Sequence, residues 1–299
     1  MSLRTQLLLY FSAVACLAAA TGVYDSVLNN FLAETFGLTA GQRGWLEFPR
    51  ELPGFLTVLM AGILCALPIT RVAVVGALGY ALGLVGLALF GWSLWPMVAM
   101  MVLASAGQHL LMPVGGSIVL GLSDETNRGR RMGMAGSIGT AGTVLGTGFV
   151  WLFFDKASPQ YARAFLGAAL LVAVAVGIYA SMHIPHLQGP RSRFVFSRRF
   201  SLYYLLEFLH GARKQIFLTF GPWVLIRVYG VPATSMAGLL MTAAIIGIVF
   251  QPLVGAFLDR FGERRIMIAD GLILSVVCVG YGYSLWFMGS AKEALPLAC

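Results

Sequence analysis

Charge is what this sequence has least of: 11% of its 299 residues are Asp, Glu, Lys or Arg. A soluble domain of this length would need about twice that share to cover its surface, so a wholly water-facing exterior is excluded. Cysteine is scarce too, with four in the chain. Cys16, Cys65 and Cys278 lie inside apolar runs, Cys299 is the last residue, and no CxxC or Cys/His spacing occurs. Neither a zinc site nor a disulfide framework is indicated, and the thiols read as small apolar side chains. A GxxxxGK phosphate loop, an HExxH pair and a GxSxG elbow are also missing, so nothing points to ATP hydrolysis or to those hydrolase chemistries. No cofactor or metal is called for, and no enzyme activity is expected. Any uphill work would draw on an ion or solute gradient.

What the chain has instead is apolar sequence: 59% of it is hydrophobic, with a mean hydropathy of +0.84. A helix needs about 20 apolar residues at ~1.5 Å each to cross a hydrocarbon core of roughly 30 Å. That criterion predicts nine spans, at 6–33, 48–68, 72–92, 95–121, 132–154, 161–184, 200–227, 234–256 and 265–288. The runs are continuous rather than alternating, which rules out a spanning β-barrel. Arg4 followed by an apolar stretch ending in Ala18, Ala19 and Ala20 imitates a signal peptide. The rest of the chain is equally apolar, so this segment reads as an uncleaved first span.

The net charge of +8 does not imply a nucleic-acid partner, because the basic residues recur in short clusters between apolar runs. With the N-terminus inside, twelve fall on the cytoplasmic side: Arg4, Arg71, Arg128, Arg130, Arg131, Arg191, Arg193, Arg198, Arg199, Arg260, Arg264 and Arg265. Six fall outside: Arg43, Arg50, Lys156, Arg163, Arg227 and Lys292. The positive-inside tendency therefore predicts an N-in protein, with a bacterial inner (plasma) membrane as the expected location. The longest cytoplasmic connection, Pro185 to Arg199, divides the chain into six helices and three. The expected organisation is a bundle over 1–184, a basic linker over 185–199 and a partial bundle over 200–299.

Ionisable side chains at membrane depth must find a partner or a water-filled cavity. Span seven is the densest: Tyr203, Glu207, His210 and Lys214 share one face at about 100° per residue, with Arg213 at its edge. Arg213 lies about 20 Å along that helix, near mid-bilayer. The set can tie helices together internally, or line a cavity that binds an anionic group or relays protons. Span one carries a stripe of Thr21, Asp25 and Asn29, and span four presents Ser105, Gln108, His109 and Met112 on one face. His109 is a helix contact or, with its near-neutral titration, a proton carrier. Glu47, Arg50 and Glu51 read as capping and surface charge, beside Pro49 and Pro53 at a helix entrance. Gly133, Gly136, Gly139, Gly142 and Gly146 in span five, with Gly76, Gly79, Gly83 and Gly86 in span three, let helix backbones approach closely.

The segment Gly255-Ala-Phe-Leu-Asp259-Arg260-Phe-Gly262-Glu-Arg264-Arg265 between spans eight and nine resembles the signature loop of the major facilitator superfamily. The six-helix bundle and basic linker resemble that family's organisation as well. The resemblance implies an all-α polytopic fold, and secondary transport of a small solute by alternating access. It implies a site near the midplane lined by spans one, four and seven, the three that carry polar stripes. Asp259, Arg260 and Arg264 would latch the state closed to the cytoplasm. The first-half counterpart of the loop, Gly62 to Arg71, has Ala66 where the Asp would stand. Asn127 to Arg131 also resembles the family, but Thr147 replaces the Pro of the antiporter pattern, so antiport is not assigned.

The residues expected to bind substrate or couple an ion are Asp25, Asn29, Gln108, His109, Glu207, His210, Arg213 and Lys214. Asp25 and Glu207 are the preferred proton carriers, as carboxylates in an apolar setting. Arg213 and Lys214 would attract an anionic or polar substrate. Multidrug efflux is a competing version of the same class. A membrane-embedded enzyme or sensor would need paired groups such as His183 and His186, which Pro185 separates. The expected partners are a small-molecule substrate and the lipid bilayer, with a monomer as the expected state. The family normally has twelve helices, so nine predict a fragment.

Overall fold

The computed structural model describes residues 1–38, 40–154, 160–184, 197–206, 208–209 and 233–283. Among these no strand occurs. The helices in chain order are α1 (Leu3–Phe36), α2 (Ala40–Phe55), α3 (Thr57–Ile63), α4 (Ile69–Phe90), α5 (Leu94–Gly121), α6 (Arg128–Phe153), α7 (Tyr161–Ser181), α8 (Ala233–Phe261) and α9 (Glu263–Gly282). Six helical stretches among the described residues are long and apolar enough to cross a membrane: α1, α4, α5, α6, α7 and Met241–Phe261 of α8. The predicted seventh span lies outside the described residues beyond its first turns.

The second span differs most from its prediction. It begins at Ala40 rather than near residue 48, and Pro49 and Pro53 lie inside α2 instead of at its entrance. Each proline withdraws a backbone donor from the helix, and the helical run is interrupted at Leu56 before α3 resumes it. The hydroxyl of Thr57 donates to the Pro53 carbonyl at 3.0 Å, giving that acceptor a partner.

Helix directions alternate as successive crossings require. Tyr10 of α1 donates to the Gly115 carbonyl of α5, while Gln108 of α5 donates to Thr21 of α1. The two helices are therefore antiparallel. Backbone proximity at Gly142–Ala15 and Gly146–Ala19 makes α1 and α6 parallel.

Chain contacts divide the protein into two compact units, Met1–Phe194 with Gly247–Asp259, and Val195–Ile246 with Arg260–Cys299. The core of the first unit is aromatic at its centre. Tyr24 meets Tyr80 edge-on at 6.4 Å, and Phe165 packs on Tyr24 at 6.2 Å and on Phe31 at 5.1 Å. Because lipid tails are as apolar as these side chains, close packing holds this core rather than withdrawal from water. Between α8 and α9 stands Gly262, whose φ of 82° suits a residue without Cβ.

Candidate functional site

Two polar constructions stand out in the first unit. One is a cavity of about 530 Å³ between α1, α2 and α5. Tyr10, Val14, Ala18, Thr21 and Asp25 form its α1 wall, and Ser105, Gln108, His109 and Met112 its α5 wall. These residues recur every three or four positions, so one stripe of each helix faces the space. Its inner wall is a hydroxyl cluster. Thr21 accepts from Gln108 at 3.4 Å and lies 3.3 Å from the buried Tyr80 hydroxyl, while its own hydroxyl reaches the Leu17 carbonyl at 3.0 Å.

The charged end of the cavity is built by α2. The Arg50 guanidinium contacts Glu47 at 2.6 Å and Glu51 at 2.9 Å, and Glu51 lies 3.4 Å from His109 Nε2. The Ser105 hydroxyl donates to the Arg50 carbonyl. A Cβ at Gly54 would stand 2.9 Å from the His109 ring, so the absence of a side chain there is what seats the imidazole against α2. Asp25 lines the same cavity, and the charge acting on it is Arg50. Asp25 itself makes no hydrogen bond or ion pair with a described residue. Two carboxylates, Asp25 and Glu51, thus face one guanidinium in the lining, leaving one negative charge in excess when His109 is neutral.

The second construction joins α6 to α8. Arg128 is the first residue of α6 and Asn127 its cap position, yet Asn127 makes no capping hydrogen bond. Its amide is engaged with Asp124 instead, donating to that carboxylate at 3.2 Å and accepting from the Asp124 backbone at 3.0 Å. The carboxylate of Asp259 fills the gap. It accepts from the backbone N–H of Gly129 at 2.7 Å and of Arg130 at 2.8 Å, the two positions that a helix cap serves. Gly129 and Gly255 sit so close that a Cβ on either would overlap the other's carbonyl. Further along, Ser137 donates to the Ile248 carbonyl at 2.6 Å, and Gln251 donates to Thr140 at 3.0 Å.

Of the residues expected from sequence, Asp25, Gln108 and His109 come together on one cavity. Asn29 is exposed and is not among its lining residues. Asp259 meets the end of α6. Arg260 lies over the Phe261 ring at 5.4 Å, and Arg264 is exposed in the first turn of α9. Glu207, His210, Arg213 and Lys214 lie outside the described residues. Sequence reasoning missed Arg50 and Glu51 by assigning them to surface charge. Their signal was the i, i+3, i+4 spacing of Glu47, Arg50 and Glu51 with Gly54 a turn later, one acidic–basic face ending in a gap. Tyr10 and Tyr80 gave no signal, because tyrosine in an apolar run reads as packing.

The sequence matches the Major Facilitator Superfamily over residues 10–297. Among curated proteins no match was found. Among solved structures, the crystal structure of a Major Facilitator Superfamily transporter, FucP, in the outward conformation is similar at a TM-score of 0.69 and 18% identity. The match covers 98% of this chain and 80% of that one. The shared fold and the family match over nearly the whole length place this chain in the Major Facilitator Superfamily, as an integral multi-pass membrane protein whose work is solute transport rather than enzymatic catalysis.

Proposed function

We propose that the chain moves a small polar or anionic solute by alternating access, coupled to a proton or solute gradient, with its N-terminus cytoplasmic in a bacterial inner membrane. The observation that carries this reading is the cavity itself. The polar stripes of α1 and α5, chosen from sequence as path-lining, face one space that also holds Arg50, Glu51 and an Asp25 with no direct partner among the described residues. A carboxylate facing a cavity beside one guanidinium is suited to take up a proton and release it. Gln108, Thr21 and Tyr80 offer neutral donors and acceptors to a polar solute. Glu207, His210, Arg213 and Lys214 complete the proposed path from span seven, with the two cations drawing in the solute. The proposed organisation is a bundle over 1–184, a linker over 185–199 and a second bundle from 200.

In the same reading Asp259, Arg260 and Arg264 form the cytoplasmic latch. The support is the seat of Asp259 on the amino end of α6, where partial positive charge and two free N–H groups favour a carboxylate.

The test is solute uptake or efflux in proteoliposomes under an imposed proton gradient, comparing wild type with Asp25→Asn, Arg50→Gln, Arg213→Gln and Lys214→Gln. Strong loss of flux in the cation variants is expected. Undiminished flux in all of them would remove this path, and broad flux of unrelated hydrophobic cations would favour multidrug efflux.

A further inference from the structure

A second cavity, about 640 Å³, opens between α1, α6 and α7 and shares no lining residue with the polar one. Its walls are apolar: Phe149 and Phe153 of α6, their rings tilted against each other at 4.9 Å, line it with Leu170 of α7 and Val23 of α1. Among the described lining residues the polar side chains are Gln160 and Arg163. Both lie at the start of α7, where the helix enters the membrane, and both are exposed. Arg163 forms no ion pair with a described residue.

The dimensions name the occupant. Along α7 the groove runs from Gln160 to Leu171, about 16 Å at ~1.5 Å per residue. Half of a hydrocarbon core is roughly 15 Å, so the groove is one leaflet deep. A spanning helix from another chain would overrun it twofold and would leave Arg163 facing apolar surface. An acyl chain fits its length, and a phosphate at the surface end meets the guanidinium, which snorkels there at little cost.

We infer that this groove holds one anionic phospholipid of the leaflet in which α7 begins. One acyl chain lies between Phe149, Phe153 and Leu170, and the phosphate accepts from Arg163, with the Gln160 amide as a second donor. The site is independent of the transport path: it lies on the other side of α1 from the Thr21–Asp25 stripe, since Ala19 and Val23 are about 160–200° around the helix from Thr21.

The experiment reconstitutes the full chain in vesicles of equal phosphatidylglycerol and phosphatidylcholine, extracts it in mild detergent and counts retained lipids by native mass spectrometry. Wild type should retain phosphatidylglycerol in preference to phosphatidylcholine. Arg163→Gln should lower that preference roughly fivefold, the worth of one basic residue near an anionic surface. Gly167→Leu should bring retention of both lipids to background, because Gly167 lines the groove and a Cβ there meets nothing within 4 Å. That variant fills the groove without disturbing helix packing, and its thermal unfolding should match wild type. No preference in wild type, an unchanged preference in Arg163→Gln, or full retention in a folded Gly167→Leu would each overturn the assignment. So would a discrete dimer carrying no lipid.

Discussion

The carboxylate of Asp259, at the end of α8, accepts the backbone N–H of Gly129 at 2.7 Å and so caps a helix distant in sequence. The cap is supplied in trans because Asn127, in the local cap position, spends its amide on Asp124. Removing a cap carboxylate costs about 0.5–2 kcal/mol. Since the contact forms only when α6 and α8 lie together, that cost falls on the joined arrangement alone. In Asp259→Ala the separated state should gain population by roughly twofold to thirtyfold. Spin labels at Arg128 and Leu253, read by pulsed dipolar spectroscopy, should report a longer distance component. An unchanged distribution would mean that Asp259 is only a helix-end ornament. Asp259→Asn should lie between, since an amide oxygen still caps a helix.

The glycines beneath that cap make a second prediction. Alanine in a helix interior normally gains about 1 kcal/mol over glycine, and Gly148→Ala, with nothing within 4 Å of the added carbon, should be neutral or stabilising. Gly255→Ala should do the opposite, because its Cβ would overlap the Gly129 carbonyl and overpacking costs about 1–3 kcal/mol. Thermal unfolding in detergent compares the two. Equal melting temperatures would show that α6 and α8 are not in close contact in solution.

How much of this could be read from sequence depends on whether a signal is periodic or relational. Apolar runs located α1, α4, α5, α6 and α7 to within a few residues because a bilayer fixes their length, but not the second span, which starts at Ala40 and is interrupted at Leu56. The glycine pattern of span five announced close packing but not its partners. Gly133 meets Gln251 and Pro252 of α8, whereas Gly142 and Gly146 meet Ala15 to Ala19 of α1. Nine residues separate Gly133 from Gly142, about 180° around the helix, so one pattern serves two opposite interfaces. The polar stripes of spans one and four were legible as faces, and Asp25, Gln108 and His109 do share a cavity. Arg50 was not legible. A short acidic–basic cluster beside two prolines looks like the end of a helix, and α2 in fact starts a full ten residues upstream of Arg50, at Ala40. Only that register turns the cluster inward.

The inward cluster leads to a third prediction, in which stability and flux separate. Glu51 is 46% exposed and the Arg50 side chain 28%, so their pairing is well screened and worth less than about 1 kcal/mol to the fold. Glu51→Gln should therefore melt near wild type. It should nevertheless slow transport at least about tenfold, the effect of losing one hydrogen bond to a charged group of roughly 1.5–3 kcal/mol, because it removes one of the two carboxylates that hold Arg50 and the carboxylate facing His109. Proteoliposome flux and melting temperature measured on one preparation check this. A variant that loses both together would assign Glu51 a structural duty instead.

Asp25 supplies the sharpest test of coupling. It faces the cavity without a hydrogen bond or ion pair to a described residue, with Arg50 the charge acting on it, while that guanidinium is held by Glu47 and Glu51. Arg50 is thus kept close but not committed, and Asp25 can hold or lose a proton without breaking a bond in the wall. In the proposed cycle the protonated and ionised forms must differ in which state of the protein they favour, or no gradient could drive transport. Asp25→Asn fixes the neutral form. It should abolish accumulation of solute against its gradient under an imposed proton gradient, while one-for-one exchange of labelled for unlabelled solute continues, because exchange needs the states to interconvert but needs no proton released. The two assays differ only in whether the empty carrier must return. If Asp25→Asn stopped exchange as well, Asp25 would be a substrate ligand. If it stopped neither, the coupled proton would have to sit elsewhere on the path, with Glu207 the next carboxylate to replace.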